Sequence, residues 1–314
     1  MKFGKIGVLL GGPSSEREIS IRSGKAIANA LRKRGHDVVE IGETGSIEEG
    51  VVKSNIDIAF IALHGRYGED GTVQKFLEDN NIPYTGSGPL ASKLAIDKEL
   101  AKIEFLRRGI NTPEYISINA SDNYSSRLKE IKIKLSMPVV VKPVEEGSSI
   151  GLSIVKEEKD LASAIELAFS YSKKVIIEKY IDGKELTVGV LGNGALAVVE
   201  IVPKKGYYNF EAKYTSGMTE YVVPAKIDSE QYKHVQMLGL LAHSALGCRD
   251  MSRVDIRLDS NCKPWVLEVN TIPGFTETSL LPKAAKAVGI GFEDLCEKIL
   301  ELAVSRAGKV KVLR

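Results

Sequence analysis

The sequence predicts a parallel α/β unit followed by an α+β region. Three observations predict this. Strand-like apolar runs alternate with helical periods through the first 95 residues or so, the signature of a doubly wound parallel sheet. Further on, an apolar ribbon, Leu186–Val202, is turned by Asn193-Gly194, a strong short hairpin signal. Near the C-terminus two alternating strands, Met251–Leu258 and Trp265–Asn270, flank the turn Asp259–Pro264. At 314 residues the chain has the length of roughly two domains.

Taken in order, Lys5–Leu10 reads as a buried strand and Gly11-Gly12-Pro13-Ser14 as a tight turn. Glu18–Arg34 has the helical period, with Ile19, Ser23, Ala26, Ile27, Ala30 and Leu31 on one face and Gly35 as the stop. Val38–Ile41 and Ile56–Leu63 are strands, and Thr72–Asp79 a short helix. Ligands bind such sheets at the carboxyl ends of the strands, where two glycine-rich loops fall, Gly11–Glu18 and His64–Gly71. Pro89–Arg108 reads as one long helix leading out of this unit. The second unit has strands Val139–Val141, Leu152–Val155 and Val175–Tyr180, a loop Glu145–Gly151 and a helix Glu158–Ser170. Lys204–Glu220 fits no period, and a loop of that length inside a compact domain is usually a lid or a binding loop. Ser229–Leu246 is a helix ended by Gly247, and Phe292–Ala307 a closing helix. There is no internal repeat.

Forty-three basic against forty-one acidic residues leave a net charge of +2, with no basic run, which argues against a polyanion such as nucleic acid. Cys248, Cys262 and Cys296 are odd in number and form no C-x-x-C pair, so neither a disulfide framework nor a zinc knuckle is expected, and buried free thiols are. The N-terminal apolar run is too short for a signal-peptide core, and no stretch reaches membrane-spanning length. The expectation is a soluble, cytoplasmic protein.

Period two on Val266–Asn270 puts Glu268 and Asn270 on one face and Leu267 and Val269 on the other, with Asp255 of the partner strand able to point the same way as Glu268. Two carboxylates and an amide oxygen make an oxygen-only site suited to Mg²⁺ or Mn²⁺. The alternative is a solvated polar face on an edge hairpin. Lys142 ends a strand beside the glycine-rich loop Glu145–Gly151, a natural phosphate contact, although either Lys142 or Lys98 alone would pass for a surface lysine. There is no Walker loop and no protein-kinase motif set. Ser15 and Glu18 have the spacing of a helix capping box; Glu16 is left over, a carboxylate placed to hold a substrate ammonium.

The chain resembles the D-alanine–D-alanine ligases of the ATP-grasp superfamily. The similar segments are Gly11–Ser20, Leu63–Gly71, Lys142–Gly151, Ile177–Ile181, Glu211–Tyr214, Arg253–Asp255 and Leu267–Gly274 followed by Ser279-Leu280, in the family's order over nearly the whole chain. Phe275 departs from the methionine expected after the Pro-Gly turn, a change of packing and not of chemistry.

The resemblance implies an N-terminal α/β (preATP-grasp) domain, residues 1–95, and a two-subdomain ATP-grasp fold, residues 96–185 and 186–314, that clamps ATP. It implies joining of two D-alanines through an acyl phosphate for peptidoglycan precursor synthesis, two Mg²⁺ ions (with Mn²⁺ able to replace them), and a homodimer. By motif position, Glu16 holds the first ammonium with Ser148 and Tyr214 in a hydrogen-bonded triad, and His64 lies near that substrate. Lys98, Lys142 and Lys213 contact phosphates; Ser149, Glu178, Lys179, Ile181 and Glu185 line the nucleotide pocket, Glu185 at the ribose. Asp255, Glu268 and Asn270 hold the metal ions, Arg253 and the Gly274 N–H stabilise the oxyanion, and Ser279 and Leu280 fix the second carboxylate. A ligase making D-alanyl-D-lactate, or a nucleotide sensor of the same fold, is the alternative.

Overall fold

A computed structural model describes residues 3–122, 124–204, 215 and 217–312. Three sheets organise them. Strands β1 (Lys5–Leu9), β2 (Asp37–Ile41) and β3 (Ile58–Ile61) form a parallel sheet in the order β2-β1-β3. Helices α1 (Arg17–Lys33), α2 (Ile47–Ser54) and α3 (Thr72–Asp79) connect and flank it. An antiparallel sheet follows in the order β4-β7-β5-β6, built from β4 (Tyr115–Asn119), β5 (Val139–Pro143), β6 (Ser153–Val155) and β7 (Lys174–Lys179). Helices α6 (Tyr124–Lys134) and α7 (Leu161–Phe169) belong to it. The third sheet, order β10-β9-β8-β11-β12, comprises β8 (Lys184–Leu191), β9 (Gly194–Pro203), β10 (Thr219–Val222), β11 (Met251–Leu258) and β12 (Pro264–Asn270). Helix α8 (Ser229–Ala245) packs on it. Helices α9 (Leu280–Ala287) and α10 (Phe292–Val312) close the chain.

The expected helix Pro89–Arg108 is two helices, α4 (Pro89–Ile96) and α5 (Lys98–Arg107). Asp97 leaves helical geometry (φ −80°, ψ 102°) and its Oδ1 accepts from the N–H groups of Glu99 and Leu100 at 3.0 and 2.9 Å. A cap inside an unbroken helical pattern is what the periodicity could not report. The expected Ser15/Glu18 capping box does not form. Glu16 is the N-cap of α1 with no side-chain cap bond, Ser14 Oγ accepts the Glu16 N–H, and Glu18 is exposed beside Arg17. The hairpin turn also sits one residue earlier than expected. Leu191 pairs with Gly194, so Gly192 and Asn193 make the turn, Gly192 supplying the positive φ of 58°. Where a helix Glu158–Ser170 is expected, one 3₁₀ turn (Glu158–Asp160) precedes α7.

On β12 the strict alternation fails at one residue. Asp255 pairs with Glu268 but Ile256 pairs with Val266, so Leu267 is an extra residue in a β-bulge. Val266 and Val269 both enter the core, and Leu267 turns to the cleft on the side of Glu268 instead of joining Val269. Cys248 and Cys296 are buried as expected, but Cys262 is exposed on the β11–β12 turn.

One core joins the chain's two ends. Ile6, Val8, Ile27, Leu31 and Phe60 of the first unit pack with Val199, Leu281, Leu295 and Ile299. Phe275 is its keystone, edge-on to Phe60 at 5.9 Å and tilted against Phe292 at 5.6 Å. The departure at this position is therefore absorbed by an aromatic cluster. Among the described residues no helix is long and apolar enough to cross a membrane.

Asp97 positions the first turn of α5, so Asp97→Ala should lower unfolding free energy by about 1 kcal/mol, and Asp97→Asn by much less. Chemical denaturation of the two variants checks this; equal losses would mean that the cap bonds do not hold the helix start.

Candidate active site

Two clefts meet between the three sheets. The first, about 370 Å³, is lined by Glu16, Ser23, His64, Glu69, Ser148, Arg253, Glu268, Asn270, Gly274, Ser279 and Leu280 among others. The second, about 130 Å³, is lined by Lys98, Lys142, Ser149, Glu178, Lys179, Ile181, Glu185, Asp255, Arg257 and Glu268, with an apolar wall that includes Val140 and Ile154. Gly147, Ser148 and Glu268 line both, so a group bound in one lies beside a group bound in the other. Lys213 and Tyr214 lie outside the described residues.

Glu16 is buried at the N-terminus of α1, and Ser148 Oγ donates to its Oε1. Gly147 crosses so close that a Cβ there would stand 2.9 Å from Glu16 Oε2, which explains glycine at that point. Ser148 and Ser149 both have left-handed backbone (φ 49° and 60°), an uncommon pair that curls the loop over the two clefts. Lys98 Nζ steadies the same loop by donating to the Glu146 carbonyl at 2.7 Å, and lies 3.7 Å from Glu268.

His64 is buried behind β3. Its Nε2 is 3.3 Å from Ser23 Oγ, and Ser14 Oγ donates to its carbonyl at 2.6 Å. Burial pulls its pKa below the ordinary histidine value, against the attraction of Glu16, so the ring is neutral at pH 7.

Sequence reading passed over Glu69, although it lies in the His64–Gly71 loop. Asp70 next to it accepts the N–H groups of Tyr67 and Thr72 and organises the start of α3. Glu69 instead turns inward, accepts the Gly65 N–H at 2.7 Å and lines the first cleft. Burial, reinforced by the Glu16 carboxylate, pushes its pKa up to about 8. Of two neighbouring carboxyl groups, one thus keeps its proton at pH 7.

On the hairpin, Asp255 and Glu268 face each other across the ladder, with Arg253 opposite Asn270. Asp255 is held from three sides. Arg253 donates Nε to Oδ1 at 2.9 Å and Nη2 to Oδ2 at 2.8 Å, Thr187 Oγ1 donates at 2.6 Å, and Asn270 Nδ2 donates at 3.2 Å. Among the described residues no group of three or more His, Cys, Asp or Glu converges. The trio has two carboxylates and one amide oxygen, a hard donor set that fits Mg²⁺ or Mn²⁺ when phosphate oxygens and water complete the shell.

Gly274, Ser279 and Leu280 come together at the start of α9. Ser279 is the N-cap but its Oγ accepts the Thr276 N–H at 3.0 Å, and Leu280 buries its side chain. In the second cleft Lys142 Nζ donates to Glu178 Oε1 at 2.6 Å. Burial alone would lower the Lys142 pKa, but Glu178 and then Glu268 outweigh it and hold the ammonium above its ordinary value. Arg257, a further residue of β11, donates Nε to the Ile181 carbonyl at 3.0 Å and Nη1 to Glu185 at 3.1 Å. Its signal was the same alternation that places Arg253 and Asp255 on one face. Lys179 lines the rim, exposed, at the end of β7.

A parallel α/β unit set against two antiparallel sheets that grip a cleft, with lysines and an acidic pair at its floor, defines an ATP-grasp ligase. The chain belongs to the D-alanine–D-alanine ligase family: residues 42–87 match the family model "D-ala D-ala ligase N-terminus" and residues 105–301 match "D-ala D-ala ligase C-terminus". It is 48% identical over 303 residues to the D-alanine–D-alanine ligase of Geotalea uraniireducens, covering 96% of each chain. A crystal structure of the Bacillus anthracis D-alanine–D-alanine ligase complexed with ATP superposes with a TM-score of 0.83 at 33% identity, covering 98% of this chain and 99% of that one. The VanG D-Ala:D-Ser ligase of Enterococcus faecalis gives a TM-score of 0.83 at 32% identity, covering 96% and 100%.

Glu69 supplies a pH test. Its folded pKa of about 8 lies above the ordinary 4.5, so its contribution to stability is full at low pH and is lost as pH rises from about 4.5 through about 8. Glu69→Gln mimics the protonated form and escapes that loss. The variant should gain on the unsubstituted protein by on the order of 2–4 kcal/mol between pH 5 and pH 8. Thermal unfolding over this range checks it, and a difference independent of pH would mean that Glu69 titrates as an ordinary carboxyl.

Proposed function

We propose that the chain joins two D-alanines at the expense of ATP, the carboxylate donor bound in the larger cleft and the nucleotide in the smaller. The observation that carries this is the shared wall: Glu268, Gly147 and Ser148 border both clefts, where a carboxylate and a terminal phosphate must meet. A carboxylate oxygen of the first D-alanine attacks the γ-phosphorus, the bond to the ADP oxygen breaks, and an acyl phosphate results. The neutral amine of the second D-alanine attacks the acyl carbon, inorganic phosphate leaves, and the amine proton goes to solvent. Positioning and charge neutralisation dominate such transfers. The product is a peptidoglycan precursor, the purpose this family serves, and the reaction is that of a soluble cytoplasmic enzyme.

Residue roles follow the clefts. Glu16 takes the ammonium of the first D-alanine while Ser148 keeps its carboxylate oriented. His64, neutral, lies at the same substrate, and Arg253 and the Gly274 N–H receive the oxyanion. Ser279 and the Leu280 N–H hold the second carboxylate at the start of α9. Lys98 and Lys142, with Lys213, contact phosphates; Arg257 fixes Ile181 and Glu185 for the adenosine end. Asp255, Glu268 and Asn270 would hold two divalent cations, which supply charge neutralisation along the phosphates. The loop Glu145–Gly151 forms one wall of the smaller cleft, at the phosphate end of the nucleotide. The chain divides functionally at about 95 and 185, in line with the three sheets, with α9 and α10 returning to the first unit's core. A homodimer is the assembly expected, with neither nucleic acid nor membrane as partner.

Incubation with ATP, Mg²⁺ and a panel of D-alanine, D-serine and D-lactate, with products read by mass, tests this reading. D-alanyl-D-alanine should dominate; ATP binding without any ligated product would leave a nucleotide sensor. Glu16→Gln removes the ammonium's partner and should raise the KM of the first D-alanine by about 2–4 kcal/mol of lost binding, with far less effect on ATP. Equal effects on both substrates would reduce Glu16 to a helix N-cap. Glu268→Gln takes one charge from the point where both clefts meet. Turnover should fall by about two or more orders of magnitude with the fold intact, and near-normal turnover would remove Glu268 from the metal set.

A further inference from the structure

Lys102 stands behind the nucleotide cleft. It lies one helical turn after Lys98 on α5 and its side chain is 0% exposed. Its Nζ donates to Thr112 Oγ1 at 2.8 Å and to the Pro113 carbonyl at 3.1 Å, and sits 5.3 Å from the centre of the Tyr115 ring. It also lies 2.9 Å from Glu178 Oε2, while the other Glu178 oxygen accepts from Lys142. Lys142 and Glu178 line the cleft and Lys102 does not. A buried ammonium is costly, and an apolar side chain of that volume would serve packing better.

We infer that Lys102 is a positioning residue for the nucleotide: by holding Glu178 from behind, it leaves the Lys142 ammonium uncancelled and turned to the phosphates. This rests on reading the smaller cleft as the nucleotide site. Without Lys102, Lys142 and Glu178 are a neutral pair, whose field falls off faster with distance than that of a net charge. With Lys102 the trio carries one net positive charge in a poorly screened interior, and a triphosphate feels it directly. Both directions of titration fit this arrangement. Glu178 is held below the ordinary carboxylate range because Lys102 and then Lys142 outweigh the effect of burial. Lys102 is pulled down to about 8 by burial, against the attraction of Glu178 and with the repulsion of Lys142.

The charge argument predicts a rescue that packing does not. Calorimetric binding of ATP with Mg²⁺, in the absence of D-alanine, is measured for the unsubstituted protein, Lys102→Met, Lys102→Gln and the double variant Lys102→Met/Glu178→Gln. Each single variant should weaken ATP binding by about tenfold or more, and raise the KM of ATP while leaving that of D-alanine unchanged. The glutamine variant, which keeps a donor toward Glu178 and Thr112, carries the test where the methionine variant does not fold. The double variant restores the single net charge on Lys142 and should recover part of the loss, binding ATP at least about threefold more tightly than Lys102→Met. Single variants that bind ATP normally, or a double variant as weak as the single, overturn the inference. Failure of the unsubstituted protein to bind ATP at all overturns the nucleotide reading itself.

Discussion

The hydroxyl of Ser23 ties together the segments that make the larger cleft. It accepts the N–H of Phe275 at 3.1 Å and faces His64 Nε2 at 3.3 Å, so α1, the loop after β3 and the turn after β12 meet at one buried atom. Those segments are distant in sequence, and only the core shared by the two ends of the chain keeps them in register. Phe275 works on both sides of that constraint. Its ring fills the space between Phe60 and Phe292, and its backbone is fixed by Ser23, next to Gly274. A misplaced ring here would move Gly274 in the wall of the larger cleft, and on the proposed roles a shift of about 1 Å there would cost much of the rate. Packing and chemistry therefore depend on the same few contacts.

Charge in the two clefts is balanced by pairing and by suppressed ionisation. Asp255 is neutralised by Arg253, Glu268 lies near Lys98, and Glu178 is shared by two lysines. Glu69 avoids facing Glu16 as a second anion by keeping its proton. The pairs are also exchangeable. On the proposed roles, a cation held by Asp255 would compete with Arg253 for that carboxylate, and the guanidinium already lines the adjoining cleft.

Much of this was legible in the sequence because it is carried by short-range pattern. Period two placed Glu268, Asn270 and Asp255 together, and the βα alternation gave the parallel unit. The helix α1 pattern even marked Ser23 as a polar residue on an apolar face. What escaped has physical reasons. The Leu267 bulge depends on pairing with β11, which no single strand records. The break at Asp97 lies inside a continuous helical pattern, and α6 is so polar (Tyr-Ser-Ser-Arg-Leu-Lys-Glu) that its one buried stripe is thin. Glu69 and Asp70 look alike in a glycine-rich loop, and only the fold decides which one ties down the loop before α3 and which enters the cleft.

The loop Glu145–Gly151 links these levels. It touches the first unit through Ser148 on Glu16, its own flank through Lys98 on the Glu146 carbonyl, and the His64 loop through Arg66 near Glu146 at 3.6 Å. The last of these joins an exposed arginine to a half-buried carboxylate at 3.6 Å and is the weakest, while the first two are part of the cleft walls. The position of the loop is thus tied to the residues that border the larger cleft, Glu16 above all. On the proposed roles, an ammonium seated at Glu16 would fix the carboxylate that receives Ser148, and the loop with it. The walls of the two clefts are joined at one hydrogen bond and at one glycine whose missing Cβ leaves room for the Glu16 carboxylate.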